Sequence, residues 1–63
     1  MPYQIKTFRE EKNMSQQELA DKSGISRATI SGLERGTITV TTTDTLIKIA
    51  TALDKKVSEI FFS

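Results

Sequence analysis

Neither cysteine nor histidine occurs among the 63 residues of this chain. Without cysteine there is no disulfide to staple a small fold and no thiolate to hold zinc. Without histidine the commonest metal ligand and the commonest acid–base group are missing too, so catalysis by thiol, imidazole or bound zinc is excluded. An excess of charge is also lacking: nine basic against eight acidic residues give a net charge of +1, which by itself names no partner. No apolar run approaches the roughly 20 residues that span a bilayer. Met1-Pro2-Tyr3-Gln4-Ile5-Lys6 does not read as a secretory signal, and a cytoplasmic location with no membrane contact is expected. What is present is 37% hydrophobic and 27% charged residues, the balance of a globular domain rather than a disordered or membrane-spanning segment. One small domain over residues 1–63 is expected, burying only about 60% of the surface its unfolded chain exposes. Such a domain is too short to enclose a substrate cavity of ordinary size, and its carboxylates show no pairing in a pocket-forming context. No enzyme activity and no cofactor are expected.

Helical periodicity covers nearly all of the sequence. Between Tyr3 and Lys12, the residues Ile5, Phe8 and Arg9 share one face, and Asn13-Met14 interrupts. Ser15-Gln16-Gln17-Glu18 has the spacing of a capping box, in which the Ser15 hydroxyl accepts from the backbone near Glu18 while Glu18 reaches back to the Ser15 amide. Met14 and Leu19 hold the staple positions around it. Gly24 is expected to end that helix by adopting a left-handed conformation. Ser26 repeats the pattern, with Ile25 and Ile30 as its staple. Two capped starts eleven residues apart predict two short helices joined by a three-residue turn, the second running from Arg27 to about Arg35 and stopping at Gly36.

Thr37 to Thr45 is rich in β-branched residues, but a lone strand would have no partner in so short a chain, and an extended loop is expected. From Asp44 the helical period returns, with Leu46, Ile49, Ala50 and Leu53 forming a core-facing stripe. Val57, Ile60 and Phe61 imply a last helical turn folding back on the core. The fold class is all-α, with four or five short helices.

The helix from Arg27 to Arg35 has two unlike faces. Ile30 and Leu33 point inward, while Arg27, Ala28, Ser31, Gly32 and Arg35 lie on the other side. That outer face carries alanine and glycine where glutamate or lysine would better serve a solvated helix. Glycine inside a helix costs roughly 1 kcal/mol relative to alanine, and close approach of another surface is one reason to accept the cost; packing against a neighbouring element is the competing one. A low relief flanked by Arg27, Ser31 and Arg35 suits a DNA major groove, which is about 12 Å wide and offers guanine O6 and N7 to arginine. Plain surface charge remains the alternative for both arginines.

Ser15-Gln16-Gln17-Glu18-Leu19-Ala20, Ser23-Gly24-Ile25-Ser26 and Thr29-Ile30-Ser31-Gly32-Leu33-Glu34-Arg35-Gly36 together resemble the helix-turn-helix core of the Cro/CI-like (XRE) family of DNA-binding regulators, here residues 15–35. Leu46-Ile47-Lys48-Ile49-Ala50-Thr51-Ala52-Leu53 resembles that family's fourth helix, so the likeness runs from about Ile5 to Phe61. It implies a compact five-helix, lambda-repressor-like domain. Carried over by position, it implies that Arg27, Ala28, Ser31 and Gly32 face base edges of double-stranded DNA. Gln16 and Ser26, at helix starts, would touch phosphate, and Arg35, Thr37 and Thr39 are added to the phosphate set. Arg9 and Glu34 fall where the family often holds a partly buried ion pair. The loop from Thr37 to Thr43 departs from the family in having neither basic residues nor proline, which implies a shallow salt dependence. Gly32 is a second departure, in a slot that more often bears a reading side chain. With only Arg27 and Ser31 well placed to read bases, it implies reliance on DNA shape.

A lone domain of this size makes few phosphate contacts, so two copies on a two-fold site are expected, their recognition helices about 34 Å apart. Ile60 and Phe61 suit the core while Phe62 is left on another face. The C-terminal segment 57–63, with Ile60, Phe61 and Phe62, is the expected dimer contact, packing of Phe62 on its own domain being the alternative. The expected function is a homodimeric repressor on a palindromic operator, nucleoid-associated when bound. An antitoxin-type module that also holds a protein partner, or a restriction–modification controller, are the alternatives.

Overall fold

Side-chain caps open the second, third and fourth helices, and left-handed glycines close the second and third. The computed structural model describes residues 4–38 and 41–61. Within them run α1 (Ile5–Glu11), α2 (Gln16–Ser23), α3 (Arg27–Arg35), α4 (Thr43–Ala52) and α5 (Val57–Phe61), with no strand among the described residues.

At α1 the chain turns through Asn13, which takes a left-handed φ of 54°, a conformation in which asparagine is several-fold enriched. The α2 capping box is complete: the Glu18 amide donates to Ser15 Oγ at 3.0 Å, and the Ser15 amide donates to Glu18 Oε1 at 3.0 Å. Gly24 ends α2 at φ 73°, its amide donating to the Ala20 carbonyl at 2.9 Å. A Cβ at Gly24 would meet nothing within 4 Å, so the left-handed backbone alone selects glycine there. At α3 the Thr29 amide donates to Ser26 Oγ at 3.2 Å.

The threonine run divides differently from the expectation. Thr42 caps α4, its Oγ1 accepting from the Thr45 amide at 3.1 Å. Thr43 to Thr45 are therefore helical and the connection is shorter, because a threonine hydroxyl placed to cap fixes the start ahead of the apolar stripe.

Each helix contributes to one core. Ile5, Met14, Leu19, Ala20, Ile30, Leu33, Leu46, Ile49, Ala50, Leu53 and Ile60 are all buried, with Phe8, Ile25, Ile38, Ala52 and Val57 packed at its margin. The α4 stripe is buried as its spacing requires. The Gln4 amide donates to the Ile60 carbonyl at 2.9 Å, which joins the start of the described chain to α5. This arrangement overturns one expectation. Ile60 has 0% exposure, so it belongs to the core and offers nothing to a second copy. The side chain of Phe61, and Phe62 altogether, lie outside the described residues.

Candidate nucleic-acid interface

α3 presents its outward face because Ile30 and Leu33, both at 0% exposure, anchor the opposite one. Arg27, Ala28 and Arg35 are exposed and Ser31 is half-buried, which places these four on one accessible strip. At the N-terminus of the strip, Ser26 is exposed and occupied with capping: besides accepting from the Thr29 amide, its hydroxyl pairs with Thr29 Oγ1 at 2.9 Å. The first amides of α3, at Arg27 and Ala28, have no partner within the helix and point outward along its axis, as anion-binding amides do.

The electrostatics of this strip depend on a partly buried pair. Glu34 is the one acidic residue of α3. Arg9 of α1 donates to both of its oxygens, Nε to Oε2 at 2.8 Å and Nη2 to Oε1 at 3.0 Å, and the two side chains are 12% and 4% exposed. This bidentate bond to Glu34 raises the arginine pKa further, against the opposing effect of burial. Arg9 Nη1 also donates to the Met14 carbonyl at 2.8 Å, so one guanidinium ties α1, the following turn and α3. Gln16 Nε2 donates to Glu34 Oε1 at 3.1 Å, which fixes the start of α2 against α3 and leaves the second Nε2 hydrogen for another acceptor. The remaining seven acidic residues all stand outside α3 and are exposed. The accessible side of α3 thus carries two cations and no anion.

Gly32 overturns the expectation that it faces bases. It is buried, and a Cβ there would lie 2.5 Å from Ile38 Cδ1, 2.6 Å from Ile38 Cγ1 and 3.3 Å from Thr37 Oγ1. The close neighbour that requires glycine is the chain's own return from α3. Gly36 ends the helix at φ 85°, and the Gly32 carbonyl accepts from the Gly36 amide at 3.0 Å and the Ile38 amide at 3.1 Å. Thr37 Oγ1 donates to that carbonyl at 3.3 Å. Thr37 is itself exposed. Thr39 lies outside the described residues. Of the two small residues expected to give α3 low relief, Ala28 alone is open.

Ile38 is the residue that sequence reasoning missed. A signal for it exists: an apolar side chain just past a helix-ending glycine commonly packs back on the last turn. A separate open groove between α2 and α4, lined by Lys22, Ser23, Ile47, Lys48, Thr51 and Ala52, shares no residue with the α3 strip. No helix among the described residues is long and apolar enough to cross a membrane.

The helix-turn-helix family model matches residues 5–60. No curated protein sequence matches significantly. Among solved structures, the chain is similar to one described as a SinR protein/SinI protein complex, at 34% sequence identity and a TM-score of 0.92. That alignment covers 100% of this chain and 62% of the other, so the present chain spans less than two thirds of its structural relative. With a family match over most of its length and the full five-helix arrangement in place, the chain belongs to the helix-turn-helix family of Cro/CI (XRE) type.

Proposed function

We propose that this chain is a sequence-specific, double-stranded-DNA-binding transcriptional regulator that acts as a repressor, two copies occupying a palindromic operator. The observation that carries the reading is the charge and relief of α3: Arg27, Ala28 and Arg35 lie open on one strip with the half-buried Ser31 among them, and the helix's single carboxylate is neutralised by Arg9 beneath it. Arginine on such a strip reaches guanine O6 and N7 from the major groove, and Ala28 allows the helix to seat deeply. Arg35 and the first amides of α3 supply backbone contacts that set register without reading sequence. Gln16, held against Glu34 with one amide hydrogen to spare, reaches phosphate from the start of α2. The homodimer follows from the small number of such contacts per copy, and repression from occupancy of promoter DNA.

Selection from a random duplex pool tests this. The expected result is enrichment of a two-fold symmetric sequence with half-site centres about 10 base pairs, or one helical turn, apart. A pool that emerges unenriched overturns the DNA reading, whereas enrichment of one unrepeated half-site overturns the dimer.

A further inference from the structure

The slot that Gly32 leaves empty is filled from outside the helix. Residue 32 stands four positions after Ala28 and so borders the same face of α3. The ideal Cβ at that position lies within 2.6 Å of both Cγ1 and Cδ1 of Ile38, so the end of the isoleucine occupies the space into which a side chain at position 32 would grow. Two backbone constraints hold it there, the Ile38 amide on the Gly32 carbonyl at 3.1 Å and the Gly36 amide on the same atom at 3.0 Å. Ile38 is also only partly buried: it packs on the margin of the core and keeps part of its surface accessible. A loop side chain therefore occupies the space beside the α3 strip where a side chain at position 32 would stand, and it is branched and wholly apolar.

We propose that Ile38 is a specificity-determining residue that reads the 5-methyl group of a thymine in the operator. This rests on the DNA-binding reading given above. Thymine is the one base whose major-groove edge carries a methyl group, and apolar side chains discriminate it by contact. An isoleucine offers no hydrogen bond to any base edge, so preference at this position comes from burying that methyl group and from excluding polar edges that would lose water.

The test pairs deletion of the protein methyls with deletion of the DNA methyl. In the operator obtained by pool selection, each thymine is replaced in turn by deoxyuridine, which removes the methyl group and nothing else. Affinities are then measured for the wild type, Ile38→Val and Ile38→Ala. Burial of one methyl-sized group is worth about a fourfold change in affinity. The wild type is expected to lose about that factor at one thymine per half-site, Ile38→Val part of it, and Ile38→Ala none, with the effects of the other uridines unchanged. An Ile38 that merely supports the fold would weaken binding to thymine and uridine operators equally, and that result overturns the proposal. So does a methyl effect that persists in Ile38→Ala, or an operator in which no thymine shows one. A wild type that selects no duplex at all removes the DNA reading itself, whereas the other failures leave it standing.

Discussion

Glu34 is the residue on which the surface of α3 depends. A carboxylate on a helix facing DNA would repel phosphate, yet this one accepts two bonds from Arg9 and one from Gln16 while only 4% exposed. Removing one partner of a partly buried pair leaves the other's polar atoms unsatisfied, at a cost of about 1–3 kcal/mol, whereas replacing both with apolar groups is often neutral. Arg9→Met is therefore expected to lose stability by about that amount, and Arg9→Met with Glu34→Met to recover the larger part of it, as read by urea unfolding. A single variant that unfolds like the wild type would show that the pair is not desolvated. The position of this pair was legible as a resemblance. Its geometry, and the use of Gln16 as a third member, needed the packing of three helices to be known. Gly32 shows the other limit: its cost inside a helix is visible in sequence, and what comes close to it is not. DNA and Ile38 both satisfy the same requirement for a missing Cβ.

At the scale of the element, side-chain caps decide where α2, α3 and α4 begin, and the capping box of α2 has a pH signature. Glu18 sits below its ordinary pKa because the Ser15 amide donates to it, then because of the Ser15 side chain, with the charge of Lys22 adding to the effect against slight desolvation. A carboxylate with a depressed folded pKa contributes stability that is fully present above its unfolded value, near 4.5, and lost as pH falls through the lower folded value. Ser15→Ala is expected to cost about 1 kcal/mol at neutral pH, or about 4–8 °C in Tm. The gap to the wild type should narrow as the pH drops below that unfolded value and through the lower folded one. A gap that stays constant through that range would mean that the Ser15 hydroxyl, the group the variant removes, does not stabilise the Glu18 carboxylate. The two cap signals at Ser15 and Ser26 were readable because each is a hydroxyl flanked by a staple pair. The start of α4 was not, because Thr41, Thr42, Thr43 and Thr45 all offer hydroxyls and the apolar period begins only at Leu46. Choosing among them takes the backbone geometry that places Thr42 Oγ1 against the Thr45 amide.

For the whole molecule, five short helices bury one set of aliphatic side chains and leave α3 anchored by Ile30 and Leu33 with its polar strip outward. The core was legible because its residues recur at helical spacing. The C-terminal contact was misjudged at Ile60 because a terminal apolar residue serves a core and an interface equally well until the position of α5 is known. The central claim is that the strip of α3 bearing Arg27 lies against paired bases, and discrimination between the selected operator and random duplex measures it most directly. For Arg27→Ala, a protein that melts as the wild type does is expected to lose about 1–3 kcal/mol of that discrimination, roughly 5- to 150-fold, while its binding to random duplex changes far less. Equal losses on both duplexes would mean that Arg27 touches phosphate only, and no loss on either would put the DNA on another face of the molecule.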